Sequence, residues 1–288
     1  MYPSSCPLYL LAGPTASGKS AKALAWAEQT GGTILNADSM QLYADVPILT
    51  ARPDAAEEAR APHRLYGHLD GQTLWSTGDW LRAARPHIAE ALAGGKPLCI
   101  VGGTGLYFNA LVHGLAEIPD IDEAVRIEAR AAFEEMGEAR LRDFLKQHDP
   151  QAEARIMPND QQRLSRAYEV WLQTGRSLTD WQTHTVPELA ADTYRLDILH
   201  PDRAWLYERC DRRLQIMLDH GVLNEVRALI DKGLTPDWPI MRVLGLSEFT
   251  AHLRGDMTLE DALTLARQKT RNYAKRQSTW FRNQFESI

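Results

Sequence analysis

The stretch "LYLLAGPTASGKS" constrains this chain more than any other, because an apolar run, Leu8 to Ala12, leads straight into Gly13, Pro14, Thr15, Ala16, Ser17, Gly18, Lys19 and Ser20. In a Gly-x-x-x-x-Gly-Lys-Ser loop the glycines let the backbone curl until successive N–H groups point inward. The helix that follows, "AKALAWAEQT", adds its positive end, and together they form a phosphate cradle. Lys19 would reach outward phosphate oxygens, and the Ser20 hydroxyl would hold a magnesium ion. By motif alone the loop takes ATP. A kinase would pass a phosphate on, a nucleotidase would hydrolyse one off, and a transferase with a diphosphate leaving group would discard both. The loop leaves these cases open.

Two more short strands fit the same layout, "GTILNADS" ending at Asp38 and "PLCIVGG" ending at Gly103, with helical spacing between them from Asp79 to Ala93. Short apolar strands separated by helices predict a parallel sheet covered by helices, and ligands of such sheets gather beyond the carboxyl ends of the strands. Gly13 to Ser20, Asp38 and Gly102 to Gly105 are thus expected on one rim. After "GLAEIPDID" a charged, Ala/Glu/Arg-rich helix is expected over Glu123 to Gln147, and no strand signal returns until "TYRLDIL" at Thr193 to Leu199. The predicted fold is α/β: a P-loop-type parallel sheet core flanked by helices (residues 1–118 and 193–288), with a mainly helical insertion domain (residues 119–192).

Composition narrows the function classes. Hydrophobic content of 44% and charged content of 24% are those of an ordinary globular chain. No stretch approaches the roughly 18 apolar residues of a membrane span, and the first residues lack a basic leader, so a cytoplasmic protein is expected. Cys6, Cys99 and Cys210 lie far apart, and the nine histidines form no metal-spaced cluster, which argues against a disulfide framework or a transition-metal site. The net charge of −6 taken whole argues against a nucleic-acid partner. Its distribution argues the other way, since Arg267 to Arg282, "RQKTRNYAKRQSTWFR", carries six basic residues and no acidic one. Tyr273, Trp280 and Phe281 in that run are read as core anchors rather than platforms for bases.

A nucleoside triphosphatase usually has an apolar strand ending in an Asp that positions magnesium. Here "PLCIVGG" runs instead into "GGTGLY", and the nearest rim carboxylate is Asp38, after a different strand. Asp38 followed by Ser39 is also a common capping pair, and Thr104 between glycines could merely mark a close backbone approach.

Taken together, "GPTASGKS", "NADSMQLY", "APHRL", "GGTGLYFNAL", "PNDQQRLSRAYEV" and "TRNYAKRQSTWFR" resemble the tRNA dimethylallyltransferase family, in the family's order and over nearly the whole chain. The resemblance implies transfer of a dimethylallyl (isopentenyl) group from dimethylallyl diphosphate to N6 of the adenosine immediately 3′ of the anticodon (position 37), in tRNAs reading codons that begin with U. It implies magnesium as cofactor and a helical insertion that grips the anticodon arm; separately, a monomer is expected. Asp38 takes the role of general base, and Thr104 a place near the reacting adenosine and the bridging oxygen. Gly13 to Ser20 become the diphosphate site. For tRNA the resemblance points to Asp38, Ser39, Met40 and Gln41 around the target base, with Thr104, and to Gln162, Arg163, Leu164, Ser165 and Arg166 on the loop. It adds Arg126, the turn Arg242, Val243, Leu244, Gly245, Leu246 and Ser247, and the closing Lys275, Arg276, Gln277, Ser278, Thr279, Trp280, Phe281 and Arg282.

The chain departs from the family at Gly245-Leu246, where Gly-Tyr is usual, and in "YADVPILTARPDAAEEA", where only Thr50-Ala51 survive of the usual wording. The competing readings are a small-molecule P-loop kinase, for which RNA would be irrelevant, and a nucleotide-binding regulatory module without chemistry.

Overall fold

The computed structural model describes residues 6–285, so the reading of the first residues as lacking a leader lies outside it. The described residues divide into two compact units, residues 6–112 with 189–285, and residues 113–188.

In the first unit, β1 (Leu8–Ala12) leads through the phosphate loop into α1 (Lys19–Thr30), and β2 (Thr33–Asn36) follows. Two single-turn helices, α2 (Pro47–Thr50) and α3 (Ala55–Glu58), precede the two-residue strand β3 (His63–Arg64). Then come α4 (Thr77–Leu92), β4 (Leu98–Gly102) and α5 (Gly105–His113). The five-stranded sheet has the order β3-β2-β4-β1-β5, and every pairing is parallel.

All residues of β1 and β4 are buried, as expected of strands covered on both faces. Alternation sorts them: Leu8, Leu10 and Ala12 join the larger core with Trp80 and Phe108, while Tyr9 and Leu11 pack with Ala23, Leu24 and Trp26 of α1. Trp80 stacks on Tyr107 at 4.2 Å and donates its indole N–H to the Asn36 carbonyl at 2.8 Å, fixing α4 against the end of β2. Strand β2 stops two residues before the expected Asp38, because Asp38 instead caps a 3₁₀ turn, Ser39–Leu42.

The second unit consists of α6 (Glu123–His148), α7 (Pro150–Arg155), α8 (Gln161–Thr174) and α9 (Leu178–Gln182). The helix expected over Glu123 to Gln147 forms, but it is interrupted at Gly137, whose φ of 73° only glycine adopts at little cost. Leu141, Leu145, Ala152, Ile156, Leu164 and Ala167 make its core. Arg142 ties α6 to α7, donating to Glu138 at 2.7 Å, Glu153 at 3.2 Å and the Met157 carbonyl at 2.8 Å.

The chain returns to the first unit with β5 (Tyr194–Ile198) beside β1, followed by α10 (Arg203–Asp219), α11 (Val222–Asp231), α12 (Leu246–Arg254) and the long α13 (Leu259–Phe285). Phe281 of α13 meets Phe108 of α5 edge-on, with ring centroids 6.0 Å apart. Phe108 is fully buried, so Phe108→Ala is expected to cost about 3–5 kcal/mol, read as a lower urea midpoint at unchanged slope. A loss below about 1 kcal/mol would mean that this junction is not well packed.

Candidate active site at the carboxyl rim of the sheet

Parallel strands place their carboxyl ends together, and in the order β2-β4-β1 the exit of β4 lies between those of β2 and β1. Asp38, the Gly103-Thr104-Gly105 turn and the phosphate loop therefore meet on one rim. Gly102 and Gly103 make the meeting close. A side chain at 102 would collide with the Ala37 backbone, and a Cβ at 103 would lie 3.5 Å from Asp38 Oδ2 and 3.4 Å from the Gly13 carbonyl.

The phosphate loop curls through positive φ at Ala16 (62°) and Gly18 (88°), the latter capping α1. Ser17 is 8% exposed and its hydroxyl has no partner, a buried donor of the kind a phosphate oxygen satisfies. Lys19 is also buried and donates to the Pro14 carbonyl at 3.1 Å. Burial lowers its ammonium to about 8; the Asp38 charge opposes the shift and the Arg213 guanidinium adds to it. A diphosphate needs the cation, so kcat/KM for such a donor is expected to fall as pH rises past about 8. A profile flat to about pH 10, the ordinary lysine range, would contradict this role for Lys19.

Asp38 is held from three sides. Its N–H donates to Asn36 Oδ1 at 2.8 Å, Asn36 Nδ2 returns a bond to the Asp38 carbonyl at 3.0 Å, and Oδ1 accepts the Met40 N–H at 3.0 Å. Its Oδ2 takes no hydrogen bond among the described residues and is the Asp38 oxygen that approaches Gly103. Thr104 accepts the Ser39 N–H at 2.9 Å and donates to the Ser39 hydroxyl at 3.2 Å, so the turn after β2 is clamped to the turn after β4. The capping reading of Asp38 and a chemical one are thus compatible, since each carboxylate oxygen is free to do one job.

Helix α13 covers the same rim. Gln277 bridges the phosphate loop and Gly103, and the Trp280 ring lies where any side chain at 105 would have to go. On the outer face Asn272, Lys275, Arg276, Thr279, Trp280 and Asn283 line an open groove of about 470 Å³. Phe281 and Gln277 point inward and are buried; Tyr273 and Trp280 are half-buried, so Phe281 is a core anchor and Trp280 serves both faces. Ser278 returns a bond to the Ala274 carbonyl at 3.0 Å, and Arg282 is exposed.

Other residues singled out in the sequence sit differently. Gln41 is engaged by the Thr50 and Ala51 carbonyls at 3.0 Å each. In the turn before α12, Arg242 and Ser247 are exposed and Leu244 half-buried, while Val243 and Leu246 are core residues and Gly245 (φ 89°) starts the helix. The Leu that replaces the usual Tyr is thus a packing residue here. In the second unit Gln162 and Arg163 are exposed and Arg166 half-buried, with Arg163 on Asp160 and Arg166 on Glu169 at 3.3 Å. Leu164 and Ser165 are buried, and Arg126 lies 3.8 Å from Glu123. Buried side chains in these segments leave only their backbones and neighbours for a partner.

Sequence reading missed Arg209 and Arg213, in a segment taken only as a helix. Arg209 donates to the Ala16 carbonyl at 2.9 Å, and Arg213 to the Thr50 carbonyl at 2.7 Å. Their spacing of four on the helix after the last core strand is the signal that could have found them.

The "IPP transferase" family model matches residues 41–284. A tRNA dimethylallyltransferase of Caulobacter sp. (strain K31) is 52% identical over 96% of this chain and 90% of its own length. The chain belongs to the tRNA dimethylallyltransferase family. A second member, from Phenylobacterium zucineum (strain HLK1), is 53% identical over the same shares of the two chains. Among solved structures, the full-length tRNA isopentenylpyrophosphate transferase of Bacillus halodurans is 35% identical, with a TM-score of 0.67 over 96% of this chain and 87% of that one. A eukaryotic dimethylallyltransferase acting on tRNA is 26% identical, with a TM-score of 0.82 over 95% of this chain and 69% of that one. This chain is an enzyme of that family, and the small-molecule kinase reading is not favoured. Among the described residues no helix is long and apolar enough to cross a membrane.

Proposed function

We propose that this enzyme, in the cytoplasm, transfers a dimethylallyl group from dimethylallyl diphosphate to N6 of the adenosine immediately 3′ of the anticodon. The observation that carries this reading is the packing of Asp38 Oδ2 and the phosphate loop around Gly103, with Thr104 next along the same turn. A base and a diphosphate cradle set this close suit a single displacement. The N6 lone pair forms the new bond to C1 of the donor, the C1–O bond breaks with its electron pair going to diphosphate, and the N6 proton passes to Asp38.

Each residue then has a task. Asp38 Oδ2 accepts the proton while the Met40 N–H on Oδ1 holds the carboxylate and the two Asn36 bonds hold its backbone. Thr104 fixes the floor between base and leaving group. Lys19, the Ser17 hydroxyl and the loop N–H groups neutralise charge developing on the diphosphate, with Arg213 adding positive potential. Among the described residues no group of three His, Cys, Asp or Glu could hold a metal unaided. A magnesium ion would rest on the exposed Ser20 hydroxyl, on donor oxygens and on water, all oxygen ligands of the kind this ion takes, and would supply further charge neutralisation.

The target base must leave the loop stack to reach a rim beneath α13, at a cost of a few kcal/mol. Lys275, Arg276 and Trp280 in the groove, and Arg126 with residues 162–166 in the second unit, are proposed to hold the anticodon arm. Binding through phosphates should weaken steeply with salt despite the net charge of −6. Salt-insensitive tRNA binding would remove the groove from the interface.

The test is to incubate the enzyme with magnesium, unmodified tRNA and dimethylallyl diphosphate, digest the RNA and weigh its nucleosides. A prenylated adenosine is expected, and none should form on an RNA carrying guanosine at the target. Unmodified nucleosides throughout would overturn the reading.

A further inference from the structure

Gln277 lies in the middle of the basic run of α13, yet its side chain is 6% exposed and is not among those lining the groove. Its amide forms a bridge. The Thr15 N–H of the phosphate loop donates to Oε1 at 2.8 Å, and Nε2 donates to the Gly103 carbonyl at 2.8 Å. Only one amide orientation does this, since the flipped one sets donor against donor and oxygen against oxygen. Glu lacks the donor, Lys and Arg lack the acceptor, and Asn is one methylene short. Gly103 is glycine in part for this contact, because a side chain there would collide with the Gln277 amide.

The neighbours of Gln277 turn the other way. Lys275, Arg276 and Thr279 line the groove, and Trp280 lines it while lying over Gly105. Lys269 and Arg271 are engaged by Glu248 and Asp211, so α13 is anchored before this turn and carries its open basic face just here. A helix moves as a body, and two hydrogen bonds of ordinary length are lost on a shift of well under 1 Å. Gln277 is thus a direct path by which a displacement of this turn would reach the backbone of the phosphate loop.

We infer that Gln277 is a positioning residue that couples RNA occupancy of the α13 groove to the geometry of the donor cradle. The inference rests on the proposed function for the identity of both ligands. RNA seated on Lys275 and Arg276 holds α13 down, Gln277 holds Thr15 and Gly103 in place, and the cradle is set for diphosphate. By reciprocity, diphosphate in the cradle tightens RNA by the same factor.

The experiment measures binding of inorganic pyrophosphate with magnesium to the full chain by calorimetry, with and without unmodified anticodon stem-loop RNA. In the unsubstituted chain RNA should tighten pyrophosphate about fivefold or more. Gln277→Ala and the isosteric Gln277→Glu should bind RNA alone within about twofold of the unsubstituted chain but lose the coupling. Their KM for the donor at saturating RNA should rise about tenfold, the loss expected for two hydrogen bonds. Folding of both variants is checked by thermal melting. Independent binding of the two ligands to the unsubstituted chain overturns the inference without any variant, and so does retained coupling in either folded variant. Failure of the proposed function looks different, since the unsubstituted chain then makes no prenylated adenosine.

Discussion

Asp38→Asn is expected to lower kcat about 10²–10⁴-fold with little change in donor or tRNA affinity. Asn retains the side-chain oxygen that accepts the Met40 N–H and caps the turn, so the backbone of the rim is kept while the proton acceptor is lost. A second signature accompanies the first. The Asp38 charge holds the Lys19 ammonium up against burial, so its removal should move the alkaline limb of donor kcat/KM below pH 8. Both effects are read from pH–rate profiles of the purified variant. Turnover within about threefold of the unsubstituted enzyme would reduce Asp38 to its capping role.

Lys19→Met is expected to cost about 10²–10³ in kcat/KM for the donor, the usual loss when one preorganised donor to developing negative charge is removed. Stability should move the other way. The folded value of Lys19 is about 8 against an ordinary 10.5, so between these the unfolded chain binds more protons and stability rises with pH. Below about 8 the buried cation is a standing cost, which the methionine removes. A variant that is inactive yet no less resistant to urea fits a lysine kept for function. A large loss of stability would mark Lys19 as structural.

The legible parts of the fold are those set by local pattern. Strands β1 and β4, and nearly so β2, were readable because continuous burial leaves an apolar run bounded by turn residues, while the half-buried β5 showed as Tyr194, Leu196 and Ile198 alternating with Arg195 and Asp197; the rim followed from their being parallel. Strand β3 is too short to carry a pattern, and its pairing rests on Ile34 and Leu35 opposite His63 and Arg64. The break at Gly137 was hidden because a lone glycine within a helical run can be tolerated without interrupting it.

At the site, the phosphate loop and Asp38 were legible because their chemistry is local in sequence. Arg213 was not, and neither was the bridging role of Gln277, which the sequence placed with the tRNA, because what matters is their contact with backbone 163 and 262 residues away, at Thr50 and Thr15. Leu246, Phe281 and Leu164 show the converse: a segment matching a family motif contains packing residues that spacing alone cannot separate from contact residues.

In the proposed reaction the cradle holds a diphosphate that leaves, not a triphosphate that is split. The most direct test supplies magnesium, unmodified tRNA and dimethylallyl diphosphate without ATP, and quantifies pyrophosphate and prenylated adenosine together. The two should appear in equal amounts and at the same rate. Orthophosphate release, or a requirement for ATP, would contradict it.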